Sequence, residues 1–176
     1  MKPLRKALPI VLMVWPYLLI GMLYLFSLLG SDAAYLVLRI YCVLTVAVYA
    51  LNIWNACTLR SETQLARWSM AVKLVHIPFY LLVFCVGVIF VGAMVVPALL
   101  FLSPFLLLLL AAGDWLLLLT SSAYGISAAV QAAVRGRIPK SDAVLCGVLH
   151  CFFVLDVVGA VLLFCKLRKT PSSLPR

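Results

Sequence analysis

Apolar positions run almost unbroken through Leu8 to Leu29, Val72 to Val96 and Ala143 to Cys165, with short polar interruptions near 30–32, 59–64 and 135–142. Each run reaches the ~20 residues needed to span a ~30 Å hydrocarbon core. Apolar side chains occupy every face of these runs, whereas a membrane β-strand would alternate with a period of two. The pattern predicts an all-α polytopic transmembrane bundle in one integral membrane domain, with helices over about 8–29, 34–58, 62–96, 104–134 and 142–165 and a short basic tail over 166–176.

The punctuation is consistent with those elements. Pro9 is expected in the first turn of helix 1, where a missing N–H costs little, and Pro16 as a kink. Gly30-Ser31-Asp32 makes a turn. "SETQ" at 61–64 has the form of a capping box, which starts helix 3 on the membrane surface with Trp68 and Lys73 at interfacial depth. Pro78 is expected to kink that helix and Pro97 to end it. Gly136 and Pro139 stop helix 4, and Ser141 caps the last helix.

The segment from Ala98 to Val134 admits two interpretations. One continuous helix over 104–134 would be about 46 Å long and give five crossings. A turn at Gly113-Asp114 would instead give six. A helix over 98–112 reaches only about 22 Å, short of the hydrocarbon thickness, so five crossings are preferred. Basic residues discriminate less: five crossings gather Lys2, Arg5, Lys6, Arg60, Arg67, Lys73, Arg135, Arg137 and Lys140 on the cytoplasmic side with the N-terminus, but leave Lys166, Arg168 and Lys169 opposite. Arg39 snorkels toward the headgroups of the other face.

Composition strengthens the membrane reading. The 176 residues are 66% apolar and 11% charged, and mean hydropathy is +1.21, far from soluble proteins at about a quarter charged. The net charge of +9 comes from clusters at helix ends, which fit anionic lipid and not nucleic acid. The amino end, Lys2, Arg5 and Lys6 before an apolar run, resembles a signal peptide with Ser31-Asp32-Ala33 as a cleavage site, but the run exceeds the usual ~15 residues and is taken as a retained first helix in a multi-pass protein of the cell membrane. The six cysteines, Cys42, Cys57, Cys85, Cys146, Cys151 and Cys165, lack metal spacing and are expected as small buried hydrophobes.

An ionisable side chain inside the bilayer costs upward of ~2.5 kcal/mol and marks a candidate site. Asp114 and Asp156 are the acids concerned. Asp114, Ser121, Tyr124 and Gln131 fall near one helix face, and Ser121, Gly125, Ala129 and Ala133 form a small-residue seam beside it. Hydroxyls at Thr120, Ser121 and Ser122 are expected to bond back to the preceding turn. Helix 2 aligns Tyr41, Thr45, Asn52 and Asn55, the asparagines either bridging helices or offering carbonyls to a ligand, with bridging favoured. Helix 3 aligns Lys73, His76 and Tyr80. The last helix stacks Asp142, Cys146 and His150, while Asp156 is rotated about 120° from His150 and looks to Arg39, His76 or a hydroxyl instead.

No nucleophile elbow, phosphate loop, dinucleotide fingerprint or paired CxxC occurs, so neither catalysis nor a metal or other cofactor is called for. A carrier or ligand-binding bundle fits best, with Asp114 as the proton, cation or small-ligand site and Asn52, Asn55, Ser121, Tyr124, His76, Tyr80 and Asp156 as supporting residues. The alternatives are an accessory or assembly subunit using the seam against a membrane-protein partner or a second copy, and a lipid-modifying membrane enzyme.

Overall fold

The structure is a computed structural model that describes residues 2–26, 31–150 and 152–169. Among the described residues, six α-helices and one short 3-10 turn make up the regular structure: α1 (Lys2–Phe26), α2 (Ser31–Thr58), α3 (Glu62–Ala93), the turn Pro97–Leu99, α4 (Leu102–Val134), α5 (Lys140–Leu149) and α6 (Phe153–Lys169). Four of them, α1 to α4, are long and apolar enough to cross a membrane. The most extensive packing joins α3 to α4, with α6 also seated on α3 and α2 on α1 and α4.

α4 runs unbroken through Gly113 and Asp114, as the longer of the two sequence interpretations requires. Three local expectations are corrected. α1 begins at Lys2, so both Pro9 and Pro16 lie inside it and neither occupies its first turn. Ser61 is the N-cap of α3 but its hydroxyl makes no capping bond; the helix start is fixed instead by Glu62, whose carboxylate pairs with Arg135 and Arg137. α5 begins at Lys140 with Pro139 as its N-cap, ahead of Ser141.

A larger correction concerns 142–165, where one rod was expected. The chain forms two helices, α5 of 10 residues and α6 of 17. They lie antiparallel, because Lys166 Nζ donates to Asp142 Oδ2 at 2.6 Å and Arg137 Nη2 donates to the Leu167 carbonyl at 2.8 Å. The turn at Gly136, with φ +68, is in the left-handed region that glycine occupies without strain.

Helix ends are tied together at one end of the bundle. Asn55 Nδ2 donates to the Arg5 carbonyl at 3.1 Å, joining the end of α2 to the start of α1. Gln131 Nε2 donates to the Leu59 carbonyl at 2.6 Å, and Arg137 Nη1 to Glu62 Oε1 at 2.7 Å. The starts of α1, α3 and α5 and the ends of α2, α4 and α6 therefore share this basic end.

The prolines of α1 shape its contacts. A proline at position i cannot bond the carbonyl of i−4, so Pro9 frees the carbonyl of Arg5 and Pro16 that of Leu12. Both are satisfied from neighbouring helices: Asn55 takes Arg5, and His76 Nε2 donates to Leu12 at 3.0 Å. The Leu12 carbonyl lies further along α1, where hydrocarbon offers no water to turn to, which makes Pro16 a docking point.

Candidate functional site

Candidate polar residues of the bundle fall into three groups at different depths. The first is a triple bridge. Tyr124 on α4 donates to Asn52 Oδ1 at 2.8 Å and accepts from Asn55 Nδ2 at 3.2 Å, while Asn52 Nδ2 bonds back to the Val48 carbonyl at 2.8 Å. Every one of these side chains is buried. Their principal polar atoms are spent on one another and on backbone, so Asn52, Asn55 and Tyr124 hold α1, α2 and α4 together.

The second group surrounds Asp156. Its carboxylate is paired with Lys73, and its Oδ1 lies 3.2 Å from Ser122 Oγ and 3.1 Å from His150 Nδ1. Lys73 Nζ also donates to Ser122 Oγ at 3.1 Å, and the Ser122 hydroxyl approaches the His150 carbonyl at 3.0 Å. Lys73, Ser122 and Asp156 are each 1% exposed and His150 is 0%. Two glycines make room for the imidazole: a Cβ on Gly125 would fall 1.9 Å from His150 Nε2, and one on Gly159 would fall 3.2 Å from His150 Nδ1. His150 thus shares Asp156 with Lys73, contrary to the rotation argument, because the helix does not continue from 150 to 156 as one rod.

Lys73 was expected at the interface. It lies eleven residues into α3, about 16 Å along the axis, deeper than a lysine side chain can snorkel. That depth was the available signal for a buried partner. Ser69, Ser122 and His150 had no comparable signal, since a serine or a histidine in an apolar run is ordinarily packing. A serine, a histidine and an aspartate do approach here, but the hydroxyl of buried Ser69 has no hydrogen bond and neither does His150 Nε2. Neither ring nitrogen of His150 is hydrogen-bonded to a serine hydroxyl, and Ser69, Ser122, His150 and Asp156 are all buried.

The third group is a cavity of about 310 Å³ between α1, α2, α3 and α4. Pro16, Leu19, Phe79, Val83, Leu110 and Leu117 supply apolar walls, and Tyr41, Thr45, Tyr49 and Asp114 supply polar atoms. Two of those are already engaged. Thr45 Oγ1 accepts from Trp15 Nε1 at 2.8 Å and donates to the Tyr41 carbonyl at 2.8 Å, and Tyr41 donates to the Trp15 carbonyl at 3.2 Å with its ring stacked on Trp15. Asp114 is half-buried, and its Oδ1 is shielded from solvent with no hydrogen-bond partner. A buried carboxylate oxygen in that condition calls for an explanation.

The remaining candidates separate. His76 Nε2 donates to the Leu12 carbonyl while its buried Nδ1 has no hydrogen bond, and Tyr80 packs edge-on against its ring at 6.0 Å. Ser121 donates to the Leu118 carbonyl at 2.9 Å and Thr120 to the Leu116 carbonyl at 2.7 Å, both local bonds; Ser122 reaches across instead. The seam is filled by this chain itself, since Gly125 receives His150 and lies against Ser69. Cys42, Cys57, Cys85 and Cys165 are exposed on the outer surface and only Cys146 is buried, with Cys151 outside the described residues. The tail beyond Lys169 is likewise outside them.

A family model described as a family of unknown function (DUF6652) matches residues 4–169, nearly the whole chain, so the chain belongs to that family. No curated protein and no solved structure matches it.

Proposed function

We propose, from the premise that this family carries no assigned activity, that the protein is a multi-pass membrane bundle that binds a small organic cation with an apolar body in the cavity at Asp114. The cell membrane, with the N-terminus in the cytoplasm, is the corresponding location. The observation that carries the proposal is the Asp114 carboxylate, whose Oδ1 is buried beside an apolar cavity without a partner from the chain. A volume of about 310 Å³ falls at the lower end of ligand pockets, ~300–1,000 Å³. Apolar walls with a few convergent polar groups are the usual composition of such sites. Aromatic faces from Tyr41, Tyr49 and Phe79 suit a cation as well as a hydrocarbon body.

Carriage of such a ligand, or of a proton, across the membrane would use the same carboxylate. The first test is binding. Tetraphenylphosphonium, a bulky lipophilic cation, is titrated against purified protein in dodecylmaltoside. Asp114→Asn keeps the shape and removes the charge, and should weaken binding at least about tenfold, equivalent to ~1.4 kcal/mol. Equal affinity of the two proteins, or no saturable binding by either, overturns the reading.

A further inference from the structure

α5 spans only about 15 Å, half of the ~30 Å hydrocarbon, and its far end does not emerge from the bundle. There His150 is buried against α3, α4 and α6, its carbonyl meets Ser122 and its ring meets Asp156 in the first turn of α6. α6 then returns beside α5, so that Lys166 reaches Asp142 and the Leu167 carbonyl receives Arg137. Interrupted helix at membrane depth is tolerated only where protein or a cavity covers it, and here Lys73, Ser122, Gly125 and Gly159 provide that cover.

We infer that α5 and α6 form a re-entrant hairpin that enters and leaves the membrane at the basic end, so that the chain crosses four times and presents its clustered basic residues from both halves of the sequence to one anionic leaflet. The arrangement resolves the charge distribution. A fifth crossing would place Lys166, Arg168 and Lys169 opposite Arg135, Arg137 and Lys140, against the rule that short cytoplasmic segments collect Lys and Arg. With the hairpin, Arg5, Lys6, Arg60, Arg67, Arg135, Arg137, Lys140, Lys166, Arg168 and Lys169 share an end, whereas Arg39 lies in the half of α2 away from it. The acids there offset only part of this charge: Glu62 pairs with Arg135 and Arg137 and Asp142 with Lys166, two carboxylates against the basic residues just named, so the surface stays strongly positive. The partner is therefore the phosphate of anionic lipid, which attracts such clusters.

The test uses the full chain with its six cysteines replaced by Ala and single cysteines returned at Lys140, Lys169 or Val95, the last being an exposed position at the other end of the bundle. In intact cells and inverted vesicles treated with a membrane-impermeant maleimide, K140C and K169C should label from the same side and V95C from the other. Labelling of K169C together with V95C shows α6 to cross, and overturns the hairpin. For the lipid, native mass spectrometry of protein from equimolar phosphatidylglycerol and phosphatidylcholine should retain phosphatidylglycerol in at least about fivefold excess, reduced toward parity by K140Q/R168Q/K169Q. Equal retention by the parent protein overturns the anionic partner.

Discussion

Replacing Lys73 by Met tests whether the buried ion pair holds α6 to the rest of the bundle. The substitution keeps an unbranched apolar stem and deletes the ammonium, leaving the Asp156 carboxylate at 1% exposure with only Ser122 at 3.2 Å and His150 at 3.1 Å. Breaking a buried pair from one side costs about 3–5 kcal/mol in proteins. Two effects reduce that figure here: the orphaned carboxyl can take up a proton instead of remaining charged, and in a membrane the unfolded reference also finds polar partners, which holds single interhelical bonds to about 0.6–1.7 kcal/mol. The expected loss for Lys73→Met is about 2–3 kcal/mol, roughly 30- to 150-fold in the folding equilibrium. Asp156→Leu should cost a similar amount. The double variant should lie within ~1 kcal/mol of the parent, because a well-packed apolar pair replaces a desolvated ionic one at little net cost. Equilibrium unfolding in mixed dodecylmaltoside–dodecyl sulfate micelles, followed by fluorescence of the four tryptophans, gives all four corners of the cycle. Additive losses in the double variant would refute the reasoning, since they would mean that the two groups do not act on each other.

Two further substitutions test how α1 docks and how His150 is accommodated. His76→Leu should cost about 1–2 kcal/mol by leaving the Leu12 carbonyl unpaired, and that cost should fall by at least half in a Pro16→Ala background, where residue 16 regains an N–H for the same carbonyl; unfolding that shows no coupling would refute the proline account. Gly125→Ala should lower stability by about 1–3 kcal/mol through collision with His150 and Ser69, whereas Gly21→Ala, with nothing within 4 Å of the added Cβ, should stabilise α1 by up to ~1 kcal/mol; thermal denaturation in detergent ranks the pair, and a neutral Gly125→Ala would contradict the packing described.

The long helices were legible because their signal is a sum over some twenty apolar residues, and no single contact can override it. The break after Leu149 was not legible for the converse reason. Apart from His150 and Asp156 the residues from 148 to 158 are apolar and include neither Gly nor Pro, and what holds the turn is tertiary: the Ser122 hydroxyl at the His150 carbonyl and Lys73 at Asp156. Angular periodicity also misled in one respect. Asp114, Ser121, Tyr124 and Gln131 do lie near one stripe, but Asp114 and Gln131 are separated by about 26 Å along the axis, so a shared face did not make a shared pocket. Asp114 joined Tyr41, Thr45 and Tyr49 instead, a set spread over two helices whose register only the folded chain reveals.

The five acidic residues of the chain can each be accounted for by what balances the charge. Glu62 faces Arg135 and Arg137, Asp142 faces Lys166, and Asp156 faces Lys73. Asp32 stands in the first turn of α2, where the helix dipole favours a negative group. Asp114 differs from these in position, since it is mid-helix on α4 with one oxygen buried and unbonded at a cavity wall. Its neighbours in that cavity are tyrosine, threonine and hydrocarbon, none of which carries a compensating charge. Eight residues along α4, about 12 Å deeper toward the basic end, Lys73 and Ser122 attend the other intramembrane carboxylate. The chain thus supplies a cation where the acid ties helices together and omits one where the acid borders open space, the place that the proposed function gives to a bound cation.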